Sequence, residues 1–402
     1  MLAQPAIPAY VPENRVFPFD IYRDDRLTGD LHEALQTLHR DAPDIFWTTE
    51  NGGHWVATRF DTMQKVLMDH DSFSAAGNQA PNIPESMPMI PLNIDPPAHN
   101  YYRSILMRHF GPASIKKMEP RVQYWARTLV EAVADKGHCE FMDEVASLFP
   151  VSIFMEMMGL PLERLREYRA LVVEYFGPCT PERYMELQNE ITRQMREILD
   201  ARQTDPRDDL ATKLQIDEID GRRMTMAELE SLTNLLFQAG MDTVANFAGF
   251  FFRYLGNRPE LQREMRENPD RLMQYIDEGF RMLGVVNNAR RARHDLTIDG
   301  VEMHEGDIVM CMLPLGGMDD RKNADPQAFR ADRRGRDHML FSKGVHLCIG
   351  HTLARAEMKM LMTEWFRQIP EFRIADGYEP HFRAGQVMGI DALPLEWDVA
   401  KT

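Results

Sequence analysis

Cysteine is scarce in this 402-residue chain, and positive charge is in deficit. The four cysteines stand at positions 139, 179, 311 and 348, and no two of them form a Cys-x-x-Cys pair. A disulfide framework and a structural zinc site are therefore both disfavoured. Lys and Arg number 46 against 62 Asp and Glu, which gives a net charge of −16. This acidic balance argues against a general nucleic-acid-binding protein, because such a protein needs a basic face.

Long apolar runs are also missing. The most apolar stretch, 235–255, contains Gln238, Asp242 and Arg253, whose polar side chains are costly inside a lipid bilayer. We interpret it as a buried helix of a globular protein. Residues 1–17 lack the basic start and the apolar segment of a secretory signal peptide. We expect a cytoplasmic protein with no membrane segment, in which thiols stay reduced.

Helical periodicity dominates what is present. Apolar residues recur at the spacing of a helix face in seven segments: 61–69, 114–135, 183–203, 227–255, 259–267, 270–283 and 351–368. Hairpins are predicted at 45–57, with its turn at Asn51-Gly52, and at 296–303, with its turn at Asp299-Gly300. A further strand is expected at 307–313. Because there is no repeat and no long linker, the pattern predicts one mainly α domain over residues 1–402 with a minor β portion.

The segment 341–350 (FSKGVHLCIG) ends where a strong helix pattern starts. Cys348 is therefore expected in a glycine-flanked loop at a helix N-terminus, where exposed amides and the helix dipole favour a thiolate. Gly344 and Gly350 leave room for a flat group near the backbone. For a lone cysteine, a buried free thiol in a turn is the alternative. The complete pattern F-x-x-G-x-x-x-C-x-G, which begins at Phe341, is rare by chance.

This loop resembles the cysteine loop of the cytochromes P450, which are haem-thiolate monooxygenases, and further likenesses extend over nearly the whole chain. The resemblance implies the cytochrome P450 fold, in which haem b lies between a long central helix and the cysteine loop. It also implies that Cys348 is the axial iron ligand, a thiolate that gives electron density to the iron. Phe341, Gly344 and Gly350 would then belong to the haem-binding loop.

A second likeness lies in the long helix, at 239–243 (AGMDT). Gly240 weakens the helix there and lets Thr243 turn toward a ligand. A carboxylate beside a hydroxyl can relay protons through water. The resemblance implies this role, in oxygen activation, for Asp242 and Thr243. An Asp–Thr pair that only satisfies a helix kink is the alternative.

Glu278 and Arg281 form an i,i+3 pair, which is a weak signal because surface pairs of this spacing are common. In the family the corresponding pair is buried and structural, and an arginine of a later Pro-x-Arg-Phe segment joins it. Here that segment reads PQAF at 326–329, so the usual third partner is missing. Arg330 is a candidate substitute.

Four side chains match the family's anchors for the haem carboxylates: His99, Arg103, Arg290 and His346. His99 and Arg103 have the spacing H-x-x-x-R. Arginine suits this task because its planar guanidinium matches a carboxylate. For any one of these residues, an ordinary surface charge is the common alternative.

Stretches such as 50–59 (ENGGHWVATR) and 240–247 (GMDTVANF) make the bacterial camphor hydroxylases the most similar group. Those enzymes carry a tyrosine that donates a hydrogen bond to the substrate where this chain has Met87, and a thioether cannot donate. Camphor is therefore disfavoured, and a larger, flatter terpenoid ketone of the ionone type is expected. Gln238 would offer that ketone a hydrogen bond. The expected pocket residues are Met87, Met89, Leu92, Leu235, Gln238, Gly240, Val286 and Val387.

The alternative for Met87 and Met89 is that both are core filler, because the chain has 28 methionines. We expect residues 174–184 to form part of a lid. A plain surface loop is the alternative there.

The resemblance implies O2 as a co-substrate and an iron–sulfur ferredoxin, served by a flavin reductase, as the electron donor. An acidic ferredoxin would be attracted by basic residues near the cysteine: Arg333, Arg334, Arg336, Lys343, Arg355 and Lys359. No nucleic-acid or membrane partner is expected. Two other functions remain open. One is a haem-binding sensor or carrier that does not activate oxygen. The other is a cysteine hydrolase using Cys348 with His346, for which an orienting partner is missing.

Overall fold

The structure, a computed structural model, describes residues 6–76, 80, 89–176, 180–219 and 221–399, and it is mainly helical with small sheets. The helices are α1 (Leu31–Gln36), α2 (Leu38–Asp41), α3 (Phe60–Met68), α4 (Ala98–Phe110), α5 (Pro112–Ala134), α6 (Leu148–Met158), α7 (Leu165–Phe176), α8 (Pro181–Thr204), α9 (Leu210–Ile216), α10 (Met226–Met241), α11 (Thr243–Gly256), α12 (Pro259–Glu267), α13 (Leu272–Met282), α14 (Leu313–Gly317) and α15 (His351–Gln368).

The strands are short and lie mostly in the first and last thirds of the chain. They are β1 (Ile45–Thr48), β2 (His54–Ala57), β3 (Phe73–Ser74), β4 (His138–Glu140), β5 (Glu218–Ile219), β6 (Arg222–Arg223), β7 (Asn288–Ala292), β8 (Leu296–Ile298), β9 (Val301–Met303), β10 (Ile308–Cys311), β11 (Arg373–Ile374), β12 (Phe382–Arg383), β13 (Gly389–Ile390) and β14 (Pro394–Glu396).

Six of the seven predicted helices are found with both ends within two residues of the prediction: α3, α5, α8, α12, α13 and α15. Several further helices were not predicted: α1, α2, α6, α7, α9 and α14. Some of these are very short, and α6 is buried on nearly all sides, so its residues show no polar face from which to recognise a helix. Within the described residues, no helix is both long and apolar enough to cross a membrane.

The predicted helix 227–255 is instead two helices, α10 and α11, which meet at Asp242. Thr243 Oγ1 donates a hydrogen bond to the carbonyl of Ala239 at 3.1 Å. Such side-chain bonds to the backbone compete with the regular helical ladder and bend helices. The interruption thus falls at Asp242. The sequence predicted a weakened helix two residues earlier, at Gly240.

The main sheet has the strand order β1-β2-β10-β7-β3. Both predicted hairpins are confirmed, as the antiparallel pairs β1–β2 and β8–β9, and the strand predicted at 307–313 is β10. In the two turns Asn51 has φ 52°, Asp299 has φ 49° and Gly300 has φ 78°. These are left-handed values that Asn, Asp and Gly tolerate, so the turn residues explain why the chain reverses there.

Helix α15 packs along α5 and runs from the cysteine loop into the core. Its residue Trp365 is fully buried, and its ring meets those of Phe141 and Phe252 edge-on at 5.4 and 4.9 Å between ring centroids. Edge-to-face aromatic pairs of this kind add to the stability that burial provides. The core therefore fixes the helix whose N-terminus directly follows Cys348.

Candidate functional site

A cavity of about 1290 Å³ opens between the helices and the cysteine loop, and its lining is mostly apolar. Most of the site residues predicted from the sequence border it: Met89, Leu92, His99, Arg103, Leu235, Gln238, Gly240, Asp242, Thr243, Val286, Phe341, His346, Cys348, Gly350 and Val387. Met87 lies outside the described residues, as do residues 177–179 of the predicted lid. The structure thus gathers residues from distant parts of the chain around one space.

Cys348 borders this cavity in a tight loop. Its backbone N–H donates to the carbonyl of Phe341 at 2.8 Å, so the loop closes on itself just before α15 begins. Burial raises the pKa of the Cys348 thiol, and the Gly350 amide and the Arg103 charge offset this only in part. The residue itself is open to the cavity, and the helix N-terminus alone does not bring the pKa of the thiol below its ordinary value. A cation at the sulfur, such as iron, is what would hold the thiolate.

The two glycines of the loop serve different purposes. Gly344 has φ +71°, and a Cβ there would lie 2.6 Å from the carbonyl oxygen of Leu67. Gly344 therefore packs tightly on the end of α3, whereas the resemblance implied a place in the haem-binding loop. Gly350 borders the cavity, and a Cβ there would lie 3.9 Å from Cys348 Sγ, an ordinary van der Waals distance.

His99, Arg103, Arg290 and His346 come close together. The rings of His99 and His346 are 4.4 Å apart, and burial together with the Arg290 charge lowers the pKa of His346 to about 3. The Nε2 atoms of both histidines are buried and have no hydrogen-bond partner within the described residues. Unpartnered buried nitrogens beside two guanidiniums favour a ligand that carries carboxylates. The residues present therefore fit haem at this site.

Asp242 and Thr243 reach the cavity where α10 and α11 meet. Asn246 Nδ2 donates to Asp242 Oδ2 at 2.7 Å, and the guanidinium of Arg383 lies 3.9 Å from Asp242 Oδ1. Burial raises the pKa of Asp242, and these two partners offset the rise only in part. The carboxyl is thus held in one orientation and keeps its proton more readily than an exposed aspartate.

Glu278 and Arg281 are fully buried and lie 2.8 Å apart. Arg333 is the third partner, because its Nε donates to Glu278 Oε1 at 2.9 Å. The suggestion of Arg330 is wrong for its side chain, which pairs with Asp325, although its backbone N–H does donate to Glu278 Oε1 at 3.1 Å. Burial raises the pKa of Glu278, but the hydrogen bonds from these arginines outweigh that effect and lower it.

Ion pairs take up half of the basic cluster predicted near the cysteine. Arg333 and Arg336 turn inward to Glu278, at 2.9 and 3.5 Å, and Arg355 pairs with a carboxylate of α13 at 3.2 Å. The predicted attraction for an acidic partner is therefore weaker than the sequence count indicates. The basic residues of the cluster outside these pairs are Arg334, Lys343 and Lys359.

Several polar residues of the cavity were not predicted. Glu357 borders it with a pKa raised to about 8 by burial, and Arg383 bridges Asp242 and the carbonyl of Phe176. Helices α7 and α8 add Tyr175 and Tyr184. Glu357 could have been found from the sequence, because it is a carboxylate among the apolar positions of 351–368. Arg383, Tyr175 and Tyr184 carry no sequence signal, because they lie on elements far apart in the chain that meet at the cavity only in the folded protein.

Comparison with known proteins identifies the family. The family model described as Cytochrome P450 matches residues 179–374. A curated relative of Sinorhizobium fredii, named "Probable cytochrome P450 127A1", is 31% identical over 97% of this chain and 97% of its own. The solved structures of CYP101J2 and CYP101C1 are 36% and 32% identical, with TM-scores of 0.91 and 0.92, and each comparison covers 98% of this chain and 100% of the other. The chain therefore belongs to the cytochrome P450 family, as a bacterial haem b monooxygenase close to the camphor hydroxylase (CYP101) group.

Proposed function

We propose that this monooxygenase hydroxylates a hydrophobic terpenoid, with an ionone-type ketone preferred to camphor. It uses O2 and takes electrons from an iron–sulfur ferredoxin served by a flavin reductase. The observation that carries the proposal is that Cys348 and the Asp242–Thr243 pair border the same mostly apolar cavity. A polar relay in an apolar pocket suits oxidation of a hydrocarbon skeleton.

The residues near Cys348 bind the cofactor. Cys348 is the iron ligand, and His99, Arg103, Arg290 and His346 hold the haem carboxylates. The two unpartnered histidine nitrogens support this assignment. Haem, when bound, supplies the oxygen-activating chemistry.

Asp242 and Thr243 handle protons. Because burial raises the pKa of Asp242, its carboxyl can carry a proton closer to neutral pH than an exposed aspartate can. Asn246 fixes the carboxyl from one side, and Thr243 presents its hydroxyl oxygen beside it. A haem-binding sensor or carrier would have no use for this relay, so the pair favours the monooxygenase.

The substrate lies in a cavity whose lining is mostly apolar. Met89, Leu92, Val286 and Val387 border the cavity, and Gln238 adds one amide to them. Apolar contacts fix the shape that is accepted, and a polar group such as this amide fixes its orientation. This combination suits a terpenoid with one oxygen atom.

A spectral titration tests the substrate. β-Ionone is expected to convert the resting protein from low spin to high spin, and turnover with the electron donor is expected to give a hydroxylated ionone. Camphor is expected to give the weaker shift. A clear shift with camphor and none with β-ionone would contradict the proposed substrate class.

The electron donor is expected to dock near the cysteine loop, where Arg334, Lys343 and Lys359 are the remaining basic residues. Because half of the basic cluster is internally paired, we expect the rate of reduction by an acidic iron–sulfur ferredoxin to fall only moderately with added salt. Replacement of Lys343 and Lys359 by Gln leaves Arg334 alone among these residues and is expected to reduce that salt dependence. A rate that salt does not change in the unaltered protein would contradict docking at this cluster.

A further inference from the structure

Helices α8 and α10 face each other through three polar contacts that repeat every four residues on both helices. The pairs are Gln188 with Gln238, Thr192 with Asn234, and Arg196 with Glu230. A four-residue step keeps side chains on one face of a helix, so these contacts form a straight antiparallel row, which we name the polar ladder. Apolar side chains of the same two helices, Leu187, Ile191 and Met195 with Leu232 and Leu236, belong to one core cluster beside this row.

The three rungs differ in length and position. The Arg196–Glu230 rung measures 2.8 Å and lies at the surface, and the Thr192–Asn234 rung measures 2.9 Å and lies in the core. The Gln188–Gln238 rung, the inner rung, measures 3.4 Å, and its Gln238 borders the cavity. At that length it is near the limit of a hydrogen bond. The ladder is therefore weakest at the end where a substrate lies.

Two tyrosines brace the inner rung. The hydroxyl of Tyr175 donates to Gln188 Oε1 at 2.8 Å, and the hydroxyl of Tyr184 is 2.7 Å from that of Tyr175. The two rings stack at 5.0 Å between centroids. Since Tyr175 gives its hydrogen to Gln188, it accepts the hydrogen of Tyr184. Gln188 Oε1 is therefore the acceptor at the inner rung. The amide of Gln238 points its nitrogen, and not its oxygen, toward Gln188 Oε1.

Gln238 therefore presents specific atoms to the cavity. Among the described residues its amide makes one hydrogen bond, to Gln188, which uses one of the two hydrogens on Nε2. The second hydrogen and the carbonyl oxygen remain beside the cavity. A purely hydrocarbon ligand would take water away from both without replacing its hydrogen bonds, which is unfavourable. A ligand with an oxygen atom at this position would accept the second hydrogen.

We propose that the inner rung, Gln188–Gln238 braced by Tyr175 and Tyr184, is the polar subsite that binds one oxygen atom of the substrate. The inference deepens the proposed function and rests on it for the kind of skeleton that fills the cavity. The ligand class is a terpenoid skeleton carrying one oxygen that accepts a hydrogen bond, such as a ketone, an ether or an alcohol. Gln238 is thus a specificity-determining residue, and Gln188 and Tyr175 are positioning residues that act through it.

Matched ligands test this directly on the haem-loaded protein. The dissociation constants of β-ionone and of the hydrocarbon with the same skeleton and no oxygen are measured from the spin-state shift, together with those of camphor and bornane. In the unaltered protein each ketone is expected to bind at least about five-fold more tightly than its hydrocarbon, the effect of one hydrogen bond. In Gln238→Leu that preference is expected to fall to about one-fold for both pairs.

Control variants separate the subsite from the rest of the ladder. Thr192→Val removes the middle rung, which lies away from the cavity, and is expected to keep the full preference for ketones. Gln188→Leu leaves Gln238 in place but removes its brace, and is expected to reduce the preference in part. An equal ketone preference in the unaltered protein and in Gln238→Leu would overturn the inference.

The same data keep the inference and the proposed function apart. If the ketone preference depends on Gln238 but no ligand is hydroxylated, the proposed function fails and the subsite stands. If β-ionone is hydroxylated while its preference over the hydrocarbon survives in Gln238→Leu, the subsite fails and the proposed function stands.

Discussion

The cavity residues between positions 340 and 358, which we call the cysteine wall, come from one continuous stretch of chain. The cavity residues of α7, α8, α10 and α11 form the opposite side, which we call the helix wall. They come from separate helices, and α9, β5 and β6 lie between α8 and α10 in the sequence. The cysteine wall contains Cys348, the proposed ligand for the metal, and the helix wall contains the proposed proton relay and the polar ladder. Residues for the chemistry thus come from a short local pattern, whereas residues for selectivity depend on how distant helices meet.

Replacement of Cys348, the proposed metal ligand of the cysteine wall, is expected to have the largest effect on spectrum and turnover. Cys348→Ala is expected to remove the thiolate-haem absorbance of the reduced protein with carbon monoxide and to abolish turnover, because Cys348 is the one cysteine at the cavity among the described residues. Cys311→Ala, in the buried strand β10, serves as the control and is expected to keep the spectrum. A thiolate spectrum that survives in Cys348→Ala would refute the assignment of the ligand.

The second largest effect is expected from the proposed proton relay of the helix wall. Asp242→Asn keeps the size of the side chain but cannot carry the proton, so product formation is expected to fall about 100-fold. The β-ionone spin shift is expected to persist, since Asp242 is not the polar substrate contact. Product and hydrogen peroxide are measured per O2 consumed. Unchanged product formation in Asp242→Asn would show that the proton comes from elsewhere.

The buried ion pair behind the cysteine wall should control stability more than chemistry. Glu278→Gln leaves Arg281 and Arg333 without their shared carboxylate, so unfolding is expected to become easier by about 3–5 kcal/mol. Arg330→Met is the matched control, because that side chain points to exposed Asp325, and it should change stability by about 0.5 kcal/mol or less. Denaturant unfolding measures both. A large loss in Arg330→Met would restore it as the third partner.

The last predicted effect depends on pH and concerns Glu357. Its folded pKa is about 8 against an ordinary 4.5, because burial disfavours the charge. Unfolding then releases a proton between these values, so this group lowers stability by about 1.4 kcal/mol per pH unit as the pH rises from 4.5 to 8. Glu357→Gln is expected to remove that slope. Thermal unfolding at pH 5 and pH 8 compares the two proteins.

Glu364 on the same helix gives the opposite control. Burial raises its pKa, but hydrogen bonds from Gln123, Arg127 and Arg367 outweigh this and bring it below the usual range. It therefore stabilises the fold above its unfolded pKa, and that contribution is lost as the pH falls. Glu364→Gln is expected to destabilise at neutral pH and to lose its effect in acid. If stability changed with pH in the same way in Glu357→Gln and Glu364→Gln, the opposite pKa shifts of the two carboxyl groups would be contradicted.

The sequence was most informative where neighbours along the chain determine structure. The cysteine loop, the two hairpins with their Asn51-Gly52 and Asp299-Gly300 turns, and six of the seven predicted helices follow from local patterns. The i,i+3 spacing of Glu278 and Arg281 allowed them to pair, but it was a weak signal, and their burial was expected from the resemblance alone. The prediction of one domain over residues 1–402 stays a prediction.

What could not be predicted depends on approach between distant elements. Arg333 and Glu278 are 55 residues apart in the sequence, and Gln188 and Gln238 are 50 residues apart. No local spacing predicts either contact. The interruption at Asp242 was misplaced because it arises from a side-chain hydrogen bond, which periodicity does not report. The orientation of Gly344 toward α3 is likewise set by tertiary packing.

The hydrogen bond that accompanies the break in the central helix also limits how many protons the relay can hold. A hydroxyl has a single hydrogen, and Thr243 gives its own to the carbonyl of Ala239. Toward the cavity it therefore offers lone pairs alone. Asp242, whose pKa is raised by burial, is then the member of the pair with a proton to give. The proposed relay then has one transferable hydrogen at a time, and a second transfer requires that Asp242 first be protonated again.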